Sequence, residues 1–387
     1  MEITKGWSWS TLMLFVLLAT TIALLFRQAV KAKKNNNKIK LGKICFSQRY
    51  IYYFLIYIIY ILFSCFRLIK EEIGGADTYN YINYFENLGY VHFNVKEILI
   101  FNGFEYLFYN TMYLIRLFGG NFFTFLVVMH SSIIISYIYY VDKEIDDENK
   151  CIWLILAFLP LLKSLNIIRN CVSAAFGFIS ISLLNNNKYK YSILFAVIAY
   201  LNHYVAIILF LFIIFYKAFP DKILKDRKKM LLLNISIIVL SIIALPVLKY
   251  LIKNTGFCGY IDKIQISLWG YIPYIVIYLI MILNKNTIMY LEKCGHFGYY
   301  KMMSFISLIL PIFILLNGAN RVLLFFELPI YVLSSDICEL NLSYVPKKYV
   351  AVCRVLIILG IILWFIFRVY RMWDGYCLMP YYNTLFM

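Results

Sequence analysis

Charge is scarce in this chain. Only 15 % of its 387 residues are Asp, Glu, Lys or Arg, against 63 % that are hydrophobic, and the mean hydropathy is +0.76. A composition with so few polar groups describes a polypeptide whose solvent is largely lipid, a polytopic membrane protein. Also missing is any soluble stretch long enough to bury a core of its own, and neither an internal repeat nor a Gly/Ser-rich linker divides the chain. Residues 1–387 therefore read as one integral membrane domain. Cysteines are present, but Cys45, Cys65, Cys151, Cys171, Cys258, Cys294, Cys338, Cys353 and Cys377 show no paired spacing and lie mostly in or beside apolar runs. That pattern indicates neither a zinc site nor a disulfide framework. The sequence also lacks a metal-ligand cluster, a Walker-type loop and a nucleophile elbow, so no metal or cofactor is expected.

The charge that exists is mostly positive and unevenly placed. The formal net charge is +17, yet most Lys and Arg sit in short loops between apolar segments. There they orient helices during insertion, and no nucleic-acid partner is implied. The first apolar run, Trp7 to Phe26, is followed rather than preceded by its cationic cluster and lacks a small-residue cleavage site. It is expected to be a retained helix with its N-terminus outside. Further runs lie at about 50–66, 122–141, 152–166, 171–184, 191–202, 204–216, 231–252, 270–284, 302–316, 321–337 and 349–367. The expected fold is all-α with about 12 transmembrane segments, and a GT-C-like architecture is compatible with it. Several runs are shorter than the roughly 17–25 residues of an ordinary span, so some are expected to be broken, buried or re-entrant.

Loop charges set the orientation. Segment 27–49 carries Arg27, Lys31, Lys33, Lys34, Lys38, Lys40, Lys43 and Arg49, and 217–229 carries Lys217, Lys222, Lys225, Arg227, Lys228 and Lys229, which assigns both to the cytoplasm. Alternate crossing then puts 67–121 outside, 142–150 inside, and the turns at Arg169, His203 and Arg321 outside. In 142–150 the acids Asp142, Glu144, Asp146, Asp147 and Glu148 outnumber Lys143 and Lys150, but acids count little in the rule. The stretch 104–118, apolar between Glu105 and Arg116, reads as an exterior interfacial or re-entrant helix.

The exterior side collects the polar groups that are hardest to explain. After Arg67 comes Gly74-Gly75-Ala76-Asp77, in which two glycines permit a tight turn that presents Asp77 at the membrane face; the same run also suits a plain helix-ending turn with Asp77 as N-cap. Arg169 precedes a helix rich in small residues (Ser173, Ala174, Ala175, Gly177) and suits an anion site or a snorkelling helix end. His203 follows Asn202 at a break between two short apolar stretches, which suggests a hairpin, with a buried and satisfied histidine as the alternative. His130, inside an apolar run, is the ordinary core case. Arg321 occupies a polar turn ahead of Glu327, a carboxylate expected to pair with an arginine or stay protonated. The aromatics of 67–121 (Tyr79, Tyr81, Tyr84, Phe85, Tyr90, Phe93, Phe101, Phe104) suit an interfacial belt or a stacking surface for sugar rings. Arg67, Arg116, Arg169, Arg321, Arg368 and Arg371 face outward while lysines concentrate inside, a distribution suited to bidentate recognition of phosphate or pyrophosphate.

The order Arg67…Gly75-Ala76-Asp77…Tyr81…Phe85, then Phe104-Glu105-Tyr106 leading into Leu107 to Phe118, then Arg169-Asn170, then Asn202-His203-Tyr204-Val205-Ala206, then Arg321, resembles the EpsG branch of the Wzy-type polysaccharide polymerases. The spacing holds over most of 60–335, and Pro380-Tyr381 is similar to the family's aromatic tail. The resemblance implies a multi-pass glycosyltransferase of the bacterial cytoplasmic (inner) membrane. At the exterior face it would polymerise undecaprenyl-pyrophosphate-linked oligosaccharide repeat units into capsule, O-antigen or exopolysaccharide, alongside a flippase and a chain-length regulator. In that reading His203 or Asp77 takes the acceptor proton, Arg169 and Arg321 bind pyrophosphate, and Glu105 and Arg67 orient the sugar or each other. A flippase or transporter of the same lipid-linked unit and a polysaccharide ligase are the rival classes; the missing internal repeat speaks against a transporter.

Overall fold

Backbone polar groups in lipid must be satisfied within the segment that carries them, and long apolar runs do this as helices. The computed structural model describes residues 6–41, 44–71, 73–88, 105–252, 272–315 and 319–384. Helix α1 (Trp9–Lys34) ends in its lysine cluster, and α2 (Arg49–Cys65) follows a short hairpin, β1 (Lys38–Leu41) antiparallel to β2 (Ile44–Ser47), with Lys38 opposite Ser47. The hairpin is a small departure from the all-α expectation, placed in the lysine-bearing loop between α1 and α2. Next come α3 (Ala76–Asn87), α4 (Tyr106–Leu117), α5 (Phe122–Glu144), a 3-10 segment (Glu148–Trp153) and α6 (Leu154–Lys163). Then follow α7 (Ile168–Asn185), α8 (Tyr189–Asn202), a 3-10 turn (Tyr204–Ala206), α9 (Ile207–Ala218), α10 (Asp221–Lys225) and α11 (Arg227–Ile252). The chain closes with α12 (Ile272–Leu283), α13 (Lys285–Lys293), α14 (Phe297–Leu315), α15 (Ala319–Leu323), α16 (Glu327–Leu342) and α17 (Lys347–Met372).

Among the described residues, α1, α5, α7 and α17 are long and apolar enough to span a membrane by themselves, and α12 with α13, bent by 99°, is a fifth if the pair counts as one span. Length alone therefore does not reach the expected count of about 12. Part of the reason lies in burial. All ten residues of α6 are buried, so this apolar run packs inside the protein instead of facing lipid.

Helix α7 is the centre of the bundle, packed against α5, α6, α8, α9 and α14. Its small residues allow that crowding. Ser173 Oγ donates to the Ala199 carbonyl at 2.6 Å and Ser180 Oγ to the Ser192 carbonyl at 2.8 Å, tying α7 to α8. A Cβ on Gly177 would lie 2.8 Å from the Phe325 ring, so only glycine permits this approach.

Contacts sort the loops into two ends. At one, Lys34 pairs with Glu148 at 3.6 Å, Arg49 with Asp142 at 3.2 Å, Lys301 with Asp221 at 2.6 Å and Lys150 with Asp336 at 2.7 Å. Loop 142–150 thus shares the end of 27–49, as alternate crossing requires, and its surplus acids are the partners of that end's cations. There too, burial disfavours a charged His296, but its hydrogen bond to Asp336 and that carboxylate's charge outweigh burial and raise its pKa above the ordinary value. The opposite end joins the termini. Trp7 meets Trp373 edge-on with centroids 6.0 Å apart, Tyr381 N–H donates to Thr11 Oγ1 at 3.0 Å, and Tyr381 stacks on Phe63 at 4.8 Å.

Candidate functional site

The termini end also carries the site, and backbone breaks build it. Helix α8 stops at Asn202, and His203 is extended (φ −158°) before the chain re-enters helix, which bears out a hairpin broken at Asn202-His203. Its imidazole is thereby turned inward and is 1 % exposed. Helix α4 packs against α8 and begins just after Glu105. Glu105 holds the N-cap position without capping. One of its carboxylate oxygens, Oε1, meets His203 Nδ1, and the other, Oε2, accepts from Arg169 Nη1 in the first turn of α7. Arg169 Nη1 also donates to the Tyr109 hydroxyl at 2.9 Å, and the guanidinium lies over the rings of Tyr81 (5.8 Å) and Tyr109 (6.0 Å).

So arranged, the carboxylate fixes the tautomer of the histidine. A carboxylate accepting from Nδ1–H leaves Nε2 with the lone pair, the orientation that makes imidazole a base. Nε2 of His203 and Nε of Arg169 are both buried and have no hydrogen-bond partner among the described residues. Buried polar atoms are nearly always bonded, so this acceptor and donor, on two groups that share one carboxylate, are open to bond a polar ligand. The charges of Arg169 and Arg321 both act on the His203 ring, and that of Asp77 acts on Arg169.

Asp77 reaches the cluster by way of the glycine pair. Gly74 (φ +78°) and Gly75 (φ +110°) are in the left-handed region, and a Cβ on either would sit 2.1 Å from a backbone oxygen, Leu68 O or Leu165 O. Gly75, not Asp77, is the N-cap of α3; Asp77 stands in the first turn and its N–H donates to Asn166 Oδ1 at 2.7 Å. This bond ties α3 to the turn just ahead of Arg169.

Arg67 is elsewhere. Its guanidinium donates to the carbonyls of Gly74 (2.9 Å), Leu165 (2.8 Å) and Ser64, and it neighbours His130 Nε2 at 3.5 Å. At 4 % exposure it clamps the glycine turn, and Glu105 pairs with Arg169 and His203 in its place. His130 is a core residue, fully buried and bonded to the Tyr60 hydroxyl at 3.0 Å. From the sequence Glu327 is expected to pair with an arginine or stay protonated; in the structure it pairs with Lys163, and its charge also acts on Arg368. Of the exterior aromatics, Tyr81 and Phe85 are buried in the α3–α4 packing, Tyr79 and Tyr84 are half-buried, and Tyr90, Phe93, Phe101 and Phe104 lie outside the described residues. Sequence reasoning did not single out Tyr109; its position four residues beyond Glu105, on the same helix face, was the available signal.

These features define an all-helical membrane protein with a carboxylate-oriented histidine and arginines gathered at one end of its bundle. The sequence model of the EpsG family matches residues 50–383. The chain belongs to that family, the family of Wzy-type polysaccharide polymerases. No curated protein and no solved structure matches it.

Proposed function

We propose that the protein polymerises undecaprenyl-pyrophosphate-linked oligosaccharide repeat units at the outer face of the bacterial cytoplasmic membrane by metal-independent glycosyl transfer. The observation that carries this reading is Glu105 shared between His203 and Arg169, with His203 Nε2 buried and unpartnered among the described residues. The acceptor sugar's hydroxyl oxygen attacks the anomeric carbon of the donor, and the bond from that carbon to the pyrophosphate oxygen breaks. The hydroxyl proton passes to His203 Nε2 while Glu105 holds the imidazolium that results. Arg169 and Arg321 stabilise the negative charge that grows on the departing pyrophosphate. Asp77, beside Arg169, orients the acceptor. The shorter helices α2 and α9 also cross, and α6, α8, α11, α12, α14 and α16 cross with them, completing a bundle of about 12 segments in which short spans lean on buried neighbours.

The test is incubation of the purified protein with a defined lipid-linked repeat unit. Wild type is expected to give a ladder of polymer, and Arg169→Ala or Arg321→Ala to leave single units on lipid. A wild-type ladder from the stably inserted double variant overturns the reading. In cells lacking the protein, single lipid-linked units accumulate outside; units trapped inside would mark a flippase instead.

A further inference from the structure

We infer that the cavity enclosed by α1, the 3-10 segment Glu148–Trp153, α16 and α17 binds an anionic phospholipid of the adjoining leaflet, with the lipid phosphate held between Arg27 and Arg354. The cavity has a volume of about 270 Å³ and carries Arg27, Glu148, Glu339 and Arg354 in its walls. Lys34 reaches Glu148 at 3.6 Å, which puts the cavity at the lysine-bearing end of the bundle. Glu105, Arg169 and His203 are at the other end, so this site stands apart from the polymerase reading.

The helices set the depth of the two arginines. Trp7, just ahead of α1, meets Trp373, just past α17, so the two helices run antiparallel away from one aromatic contact at the termini end. Arg27 comes 20 residues after Trp7 and Arg354 comes 19 residues before Trp373. The helical rise then puts both arginines roughly 30 Å from that contact, which is about the thickness of the hydrocarbon core of a bilayer. With tryptophans at one interface, the arginines stand at the other, level with lipid phosphates. Leu24 of α1 and Ile357 and Ile358 of α17 line the cavity on the bilayer side of the arginines.

Both arginines have donors to spare. Arg27 makes no hydrogen bond or ion pair among the described residues. Arg354 Nη2 donates to Glu339 Oε2 at 3.1 Å, while Arg354 Nε is buried without a partner among the described residues. Glu148 is matched by Lys34 and Glu339 by Arg354, so Arg27 is the cation left over. A phosphodiester balances it with one negative charge and accepts from both guanidiniums through its two free oxygens. The second charge of a phosphomonoester would face Glu148 and Glu339, and a zwitterionic headgroup would leave Arg27 uncompensated. The acyl chain has a place as well. An adjoining apolar cavity of about 410 Å³ shares Trp153, Cys338 and Ile357 with the first and continues beside α17 to Trp364, roughly 10 Å of helix towards the middle of the membrane. Val355, Leu356 and Leu359 are at least 50 % exposed, so this half of α17 leans on lipid more than on other helices.

The test strips the full-length protein of lipid in a nonionic detergent, titrates it with phosphatidylglycerol and counts bound lipid by native mass spectrometry. One tightly held phosphatidylglycerol is expected, with phosphatidylethanolamine and inorganic phosphate each about tenfold weaker or more. Arg27→Gln and Arg354→Gln are each expected to weaken phosphatidylglycerol about tenfold. Arg27 holds no described contact, so its variant reads binding without unfolding. Lys347→Gln, at an exposed lysine of the same end outside the cavity, is expected to leave the affinity unchanged. Gly360 lines the adjoining cavity, and a Cβ there would meet no atom within 4 Å; Gly360→Trp is expected to weaken long-chain phosphatidylglycerol and to spare the dihexanoyl form. Equal affinity for phosphatidylethanolamine, displacement by inorganic phosphate at matching concentration, an equal loss in Lys347→Gln, or wild-type affinity in Arg27→Gln or Gly360→Trp overturns the inference. No sugar is present and nothing turns over, so the lipid count and the polymer ladder fail separately.

Discussion

Glu105 and His203 are 98 residues apart in sequence and share one hydrogen bond. A histidine at a helix break is weak on its own; oriented by a carboxylate, with its second nitrogen unpartnered among the described residues, it has the geometry of a base. If the two act as a unit, their losses cannot add. Glu105→Gln leaves the ring without its orienting charge and His203→Ala removes the base, so each is expected to slow polymerisation by about 10²–10⁴-fold, and the double variant by no more than the worse single one. Single-turnover formation of the first linkage measures this, and losses that multiply would show that Glu105 and His203 serve separate steps. Arg67 teaches the opposite lesson. From the sequence it is expected to orient the sugar or Glu105, whereas its donors go to the carbonyls of Ser64 and Gly74 beside it and of Leu165 in the turn ahead of α7, because buried backbone oxygens need a partner.

At the scale of the element, the turn that carries Asp77 depends on a backbone shape open only to glycine. Gly75→Ala places a methyl 2.1 Å from Leu165 O at φ +110°, so α3 must shift away from the turn ahead of Arg169 and the Asp77–Asn166 bond stretches or breaks. The expected cost is about 2–3 kcal/mol of stability, seen as a lower melting temperature in detergent, with polymer yield falling although every charged residue remains. An unchanged melting temperature and ladder would show that α3 is not held by this turn. The glycines, the break at His203 and the small-residue face of α7 were all legible in the sequence, since each is a local signal. The burial of α6 was not, because an apolar run reads alike whether its neighbours are lipid or protein. Nor was the Lys163–Glu327 pair, whose partners lie 164 residues apart and meet only through the packing of α6 on α16.

Over the whole molecule, the same rule that sorted the loops sorted the charges: lysines with their acids at one end, the Glu105–His203–Arg169 cluster with Arg321 at the other. What fastens the second end is the chain's own tail. Residues after Asp374 bond to the segment that precedes the glycine turn and to the turn itself, through Leu68 N–H to Tyr382 O at 2.9 Å and Gly74 N–H to Cys377 O at 3.0 Å. Tyr381 reaches α1 through Thr11 and α2 through its stack on Phe63. The tail therefore holds α1, α2 and the Asp77 turn together. Truncation after Asp374 is expected to cost roughly 3–5 kcal/mol from the lost backbone bonds and the buried ring, and to weaken polymer formation through displacement of Asp77. Melting of the truncated protein together with its ladder decides the matter: lower stability with a shortened ladder supports the clasp, and a full-length ladder from a protein that melts like wild type shows that the termini end is fastened without it.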